Sequence, residues 1–119
     1  MSTQIKRESI DNIEFTIGSG NVFADLGLPD AEELLVKAQL LHKINMILKK
    51  KKLKQAAAAK ILQTDQSKVS LITRGKLSVF SLERLVSYLN LLNQDVELIV
   101  KESKNKKHIG AFRVVQTMV

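Results

Sequence analysis

Between residues 31 and 50, apolar side chains fall at Leu34, Leu35, Ala38, Leu41, Ile44, Ile47 and Leu48, the three-and-four spacing of one buried helical stripe. The approach to this stretch reads Leu28-Pro29-Asp30-Ala31-Glu32-Glu33. Asp30 is expected to cap the first amides, and Glu33, three residues on, to reach back and complete a capping box. Acids in the first turn and lysines in the last suit the helix macrodipole. A long helix over about 31–50 is predicted.

Three shorter helices follow. QAAAAKIL at 55–62 has high helix propensity from its four alanines. The polar break Gln63-Thr64-Asp65-Gln66 is too short for an independent loop, and Asp65 is a good cap for a second short helix, QSKVSLIT at 66–73. Arg74-Gly75 ends it, with the glycine free to take the left-handed conformation past the last turn. Ser81 caps a fourth helix over about 82–93, with Leu82, Leu85, Val86, Leu89 and Leu92 facing inward.

Outside this region the pattern changes. DVELIV at 95–100 alternates like a strand, with Val96, Leu98 and Val100 on one face. KESKNKK at 101–107 is a charged linker, and HIGAFRVVQTMV at 108–119 is expected to add a second strand, paired with the first or with another subunit. Near the start, Ile13, Phe15 and Ile17 alternate before Gly18-Ser19-Gly20, as in a short strand or an ordered arm. The GSGN run resembles a phosphate loop only weakly, since no Gly-Lys-Ser/Thr follows, and reads as a turn. Three parts result: an arm at 1–28, a helical domain at 29–93, and a strand or tail at 94–119 that is a candidate dimerisation element.

Charge divides the chain in the same way. The net charge is +7, yet residues 1–34 carry −5 and residues 35–119 carry +12. Ten of the basic residues and a single acid, Asp65, fall within 42–76. Such a block beside an acidic arm suggests two surfaces with two kinds of partner. Lys49 to Lys52 alone could be no more than a solvated helix end, but the excess continues through Lys54, Lys60, Lys68, Arg74 and Lys76. There is no cysteine, which excludes disulfides, thiol nucleophiles and cysteine-ligated zinc. No apolar run is long enough for a membrane span, and Met1 to Ser9 lack a signal core, so a cytoplasmic protein without membrane association is expected.

The two short helices carry the functional reading. A helix-turn-helix brings two helices together at a steep angle across a turn of about three residues. Close crossing demands a small residue on the first, and Ala59 supplies it, with Val69 as the apolar counterpart on the second. The second helix can then project its N-terminal end into a major groove, where the polar face Gln66, Ser67 and Ser70 would meet base edges. The same pattern also fits an ordinary helical hairpin.

Residues 40–93 resemble the phage-repressor (Cro-like, xenobiotic-response-element) helix-turn-helix family. The resemblance rests on L-K-Q-x-x-x-A-x-x-L at 53–62, x-x-x-Q-x-x-V-S at 63–70 and R-G at 74–75. A longer one, from GNVFADLGLPDAEELL at 20–35 through FSLERL at 80–85 to DVELIV at 95–100, is similar to antitoxins of HigA type from toxin–antitoxin pairs. It implies a mainly α, lambda-repressor-like helix-turn-helix bundle with a short C-terminal β-strand. It also implies that Gln55 contacts phosphate and braces Gln66, and that Gln66 and Ser67 read bases. Ser70 and Leu71 would reach further into the groove, Leu71 through a thymine methyl, while Lys68, Thr73, Arg74 and Lys76 would contact phosphate. The chain departs from the family in three places. Lys52 replaces a common glycine, so the first helix is expected to close differently; Lys54 replaces a capping threonine, exchanging a cap for a phosphate-seeking charge; and Gln63 replaces a turn glycine.

Other chemistry finds little support. His42 and His108 have no acidic residue at ligand spacing, Ser19, Ser70 and Ser78 lack a base and an oxyanion motif, and Phe15, Phe23, Phe80, Tyr88 and Phe112 form no stacking platform. No cofactor, metal site or enzymatic activity is expected. The expected protein is a homodimeric repressor of a palindromic operator and the antitoxin of a RelE/HigB-like toxin, with a solitary phage-type regulator as the alternative.

Overall fold

The computed structural model describes residues 30–104 and 110–115. The expectations for the arm at 1–28, with its short strand and its GSGN turn, lie outside the described residues, as do the parts of the last predicted strand at 108–109 and 116–119.

Four α-helices and one turn of 3-10 helix make up the regular structure: α1 Ala31–Lys50, α2 Gln55–Leu62, α3 Gln66–Thr73, the 3-10 turn Leu77–Val79, and α4 Leu82–Leu91. The mainly α bundle expected from the pattern is the observed one. The long helix α1 is the spine, packing against α4, the 3-10 turn and α3, while α2 packs against α3 and α4. On α1 the buried positions are Val36, Ala38, Leu40, Leu41, Ile44 and Leu48, with Leu34, Leu35 and Ile47 half-buried beside them. The stripe is therefore wider than the sequence pattern drew it, because partners on two sides cover Val36 and Leu40 as well. Ile44, Ile72 and Leu85 are fully enclosed at 0% exposure, which fixes the centre of the core where α1, α3 and α4 meet. Phe80 and Tyr88 are also buried and meet edge to face, with ring centroids 5.9 Å apart and planes at 73°.

Every helix closes in the same way. Lys52, Gln63, Gly75 and Asn93 follow the ends of α1 to α4 with φ of 54°, 56°, 72° and 65°. In each, the next amide reaches back to a carbonyl five residues earlier: Leu53 to Leu48 at 3.1 Å, Thr64 to Ala59 at 2.9 Å, Lys76 to Leu71 at 3.1 Å, and Gln94 to Leu89 at 2.9 Å. This is the Schellman closure, and it satisfies carbonyls that the helix leaves orphaned. The expected role of Gly75 holds. The expectation that Lys52 would force a different ending does not: the backbone keeps the geometry a glycine would adopt, because Leu53 packs against the core that buries Leu48 and so anchors the turn.

Two other expectations are corrected. Asp30 does not cap α1 with its side chain, because its backbone is left-handed (φ 57°, ψ 35°), not in the extended region that aims a capping oxygen at the first amides. The box with Glu33 is thereby lost, and the neighbouring Glu32 instead accepts a hydrogen bond from the Phe112 amide at 2.9 Å. The second correction concerns the C-terminal strands. Residues 95–100 and 110–115 have no sheet partner among the described residues and carry no regular secondary structure. A strand needs a second strand to complete its ladder, and alternation in sequence cannot supply one. Leu98, Ile99 and Val100 are left 79%, 76% and 90% exposed, whereas Val114 packs against the core.

Candidate nucleic-acid interface

The geometry begins with small side chains. Ala58 and Ala59 on α2 and Val69 and Ile72 on α3 are all buried, and with no side chain on α2 larger than a methyl at the first two positions, α3 can pack closely across it. This leaves the opposite side of α3 to solvent. Gln66, Ser67 and Lys68, its first turn, are exposed, and Ser70 one turn on is half-buried.

Asp65 organises that first turn. Its carboxylate accepts the Lys68 amide at 2.8 Å, capping α3 as expected, and also the Ser67 hydroxyl at 2.6 Å. These bonds, that of Ser67 foremost and that of Lys68 next, hold the Asp65 carboxyl below its ordinary value, since both favour the charged form. Ser67 therefore has its hydrogen committed to Asp65 and offers its oxygen outward as an acceptor.

The far end of α3 is tethered in a way the sequence did not announce. Asn45, half-buried on α1, donates through Nδ2 to the Ile72 carbonyl at 2.8 Å, across 27 residues of chain. The signal was a lone amide one position after Ile44 in the apolar stripe, which by itself does not distinguish a tether from a surface residue. The Thr73 hydroxyl donates to the Val69 carbonyl at 2.9 Å and so turns back onto its own helix.

The remaining sequence-predicted residues sit around this helix. Gln55 is the exposed first residue of α2, and no hydrogen bond joins it to Gln66 among the described residues. Leu71 is half-buried and packs against the core, so only part of its side chain faces outward. Arg74 is exposed at the end of α3, and Lys76 is half-buried before the 3-10 turn. Lys68 in the exposed first turn of this helix, and Arg74 and Lys76 just past its end, thus lie along one short stretch of chain.

A short helix with a polar, solvent-facing first turn, carried across a small-residue helix within the basic block at 42–76, defines a helix-turn-helix DNA-binding protein. The comparisons with known proteins carry this further. The profile of a helix-turn-helix domain family matches residues 22–101. A solved structure whose name places it among the XRE-family transcriptional regulators is similar at 39% sequence identity and a TM-score of 0.70, over 75% of this chain and 100% of that one. Among curated proteins none matches. The chain belongs to the helix-turn-helix domain family and is a DNA-binding transcriptional regulator of XRE type. No helix among the described residues is long and apolar enough to cross a membrane.

Proposed function

We propose that the protein is a homodimeric repressor that reads a palindromic operator with α3, and that it serves as the antitoxin of a RelE/HigB-like toxin whose operon it represses. The single observation that carries the DNA-reading part is the exposed turn Gln66-Ser67-Lys68, capped by Asp65 and held from behind by Val69 and Ile72. In this reading Gln66 pairs with adenine N6 and N7, and Ser67 accepts from a base amino group. Ser70 and the outward part of Leu71 line the deeper groove, while Gln55, Lys68, Arg74 and Lys76 hold phosphate; Thr73, expected to join them, has its one hydroxyl hydrogen donated to the Val69 carbonyl.

One reading head contacts too few base pairs for useful discrimination, so two copies act together. Residues 95–100 are the contact we favour, because Leu98, Ile99 and Val100 leave an apolar stretch bare in the single chain. The antitoxin role is supported by the net −5 of residues 1–34, an acidic stretch of sequence suited to a basic ribonuclease, and by the resemblance at 20–35 and 95–100. A solitary regulator is the second reading, favoured by the name of the 39%-identical relative, which speaks of transcription alone. A neighbouring reading frame for a small basic protein that co-purifies with this chain decides for the antitoxin; no such partner decides for the solitary regulator.

The DNA-reading role is tested by titrating wild type, Gln66→Ala and Arg74→Ala against the upstream promoter and random duplex at two salt concentrations. Gln66→Ala should narrow the gap between promoter and random DNA by about 1–3 kcal/mol. Arg74→Ala should weaken both alike and flatten the log-affinity salt slope by about one unit. A Gln66→Ala protein that discriminates as well as wild type would remove α3 from the base-reading role.

A further inference from the structure

Asp65 is the single acid among the ten basic residues of 42–76, and the next acids along the chain are Glu33 and Glu83. It is exposed at the start of α3, beside the turn assigned above to base reading. Capping alone does not ask for a charge there, since serine and asparagine cap about as well. The helix dipole rewards the carboxylate in the free protein, but on DNA it repels the phosphates that the surrounding lysines attract.

What the charge does, and a neutral cap would not do, is fix the direction of a hydrogen bond. An ionised carboxylate only accepts, so the Ser67 hydroxyl, 2.6 Å from Asp65 Oδ1, is the donor. Beside a serine or asparagine cap the same hydroxyl could turn either way. The Lys68 amide falls on that oxygen too, at 2.8 Å, and Oδ2 has no bond among the described residues. Both bonds hold the Asp65 carboxyl below its ordinary value and so keep it charged at neutral pH. The result is a pair of exposed oxygens two residues apart, Ser67 Oγ and Asp65 Oδ2, which accept hydrogen bonds and donate none.

The bases answer such a pair differently. In the major groove guanine shows two acceptors, thymine an acceptor and a methyl group, and adenine an amino donor beside the acceptor N7. Cytosine alone shows an amino donor with no acceptor, and so meets two acceptors without repulsion. We propose that Asp65 sets the polarity of the reading turn, so that Ser67 and the second Asp65 oxygen select the N4 amino group of a cytosine in the operator. This rests on the DNA-reading role above and names the base that the turn admits. Ser67 is the base contact, and Asp65 is the positioning residue that acts through it.

The test is selection of bound duplexes from a pool of randomised sequence by the full chain and by Asp65→Asn, Ser67→Ala and Gln66→Ala. Asp65→Asn keeps a capping oxygen and puts an amide donor in place of Oδ2. Base preference is a ratio between sequences, so a variant that is merely less stable leaves it unmoved. Wild type should enrich a site with one position fixed as cytosine, next to the position that Gln66→Ala relaxes. Asp65→Asn should lose that cytosine and admit purines, whose N7 accepts from the new amide, with the rest of the site retained. Ser67→Ala should relax the same position without gaining a new preference. In a duplex of the selected sequence, N4-methylcytosine at that position, its methyl replacing the groove-facing hydrogen, should weaken wild type by about tenfold or more. An Asp65→Asn site identical to that of wild type overturns the proposal. So does tighter binding of this variant to every sequence alike, which would reduce Asp65 to charge repulsion. If wild type enriches no sequence, the parent reading fails; a Gln66-dependent site with no Asp65-dependent position sinks this inference alone.

Discussion

Asp65 shows how much a single exposed side chain can settle. It ends the turn after α2, begins α3, and fixes the rotor of Ser67 within the exposed first turn. Its carboxyl is held below the ordinary value, so the sign of the pH dependence follows. The contribution is complete above about pH 4, the unfolded-state carboxylate value, and is lost as the pH falls through the lower folded value. Asp65→Asn, which keeps a capping oxygen but cannot be charged, should therefore melt below wild type at neutral pH and approach it at pH 3 in a series of thermal melts. A gap that stays constant with pH would mean the charge contributes nothing to the cap. Asp65 was legible in the sequence because a capping residue before a short apolar-periodic run has one geometric meaning. Asp30 had the same local signature and a different outcome. Capping depends on the φ and ψ of the residue itself, and the left-handed backbone at Asp30 is not written in its own neighbourhood.

Among the elements, the helices were readable and their tethers were not. The periodicity of α1 and the leucines of α4 state which face is buried, and the structure buries those faces wholly or in part; the alanine run of α2 states a helix but no face, and of its four alanines Ala58 and Ala59 are buried while Ala56 and Ala57 are exposed. The C-terminal strands failed for the converse reason. Alternation at 95–100 describes what a strand would look like, whereas a strand exists only with a partner, and none is supplied among the described residues. Lys52 and Gln63 show a subtler limit. A glycine there would have announced the left-handed closure, yet the backbone takes it with other residues because the reverse-turn hydrogen bonds and the packing of Leu53 hold it. At this scale Asn45 makes the clearest prediction, since its amide ties the end of α3 to the spine at 2.8 Å. Asn45→Ala should cost about 1 kcal/mol of stability. Hydrogen exchange should show the loss concentrated at residues 69–76 and smaller in α4. Protection lost evenly over the domain would mean the amide supports the core in general and not the reading helix in particular.

For the whole molecule, the distribution of charge and the exposure of α3 have to be read together. Residues 35–119 carry +12, while residues 1–34 carry −5, and the domain presents its polar helix end within the basic part. The basic part supplies non-specific attraction to DNA, on which a few base contacts can act, and the proposed pairing of two copies multiplies those contacts into a usable preference. In the proposed reading the acidic part is left for the toxin, so that repression and toxin binding are compatible in one small chain. All of this depends on α3 entering the major groove by its first turn. Dimethyl sulfate probing of the protein on its upstream promoter tests that directly, because the reagent methylates guanine N7 in the major groove and adenine N3 in the minor groove. The account predicts protection of guanine N7 in two patches on one face of the duplex, about 34 Å apart, both lost with Gln66→Ala. Protection of adenine N3 with guanine N7 left reactive would contradict it.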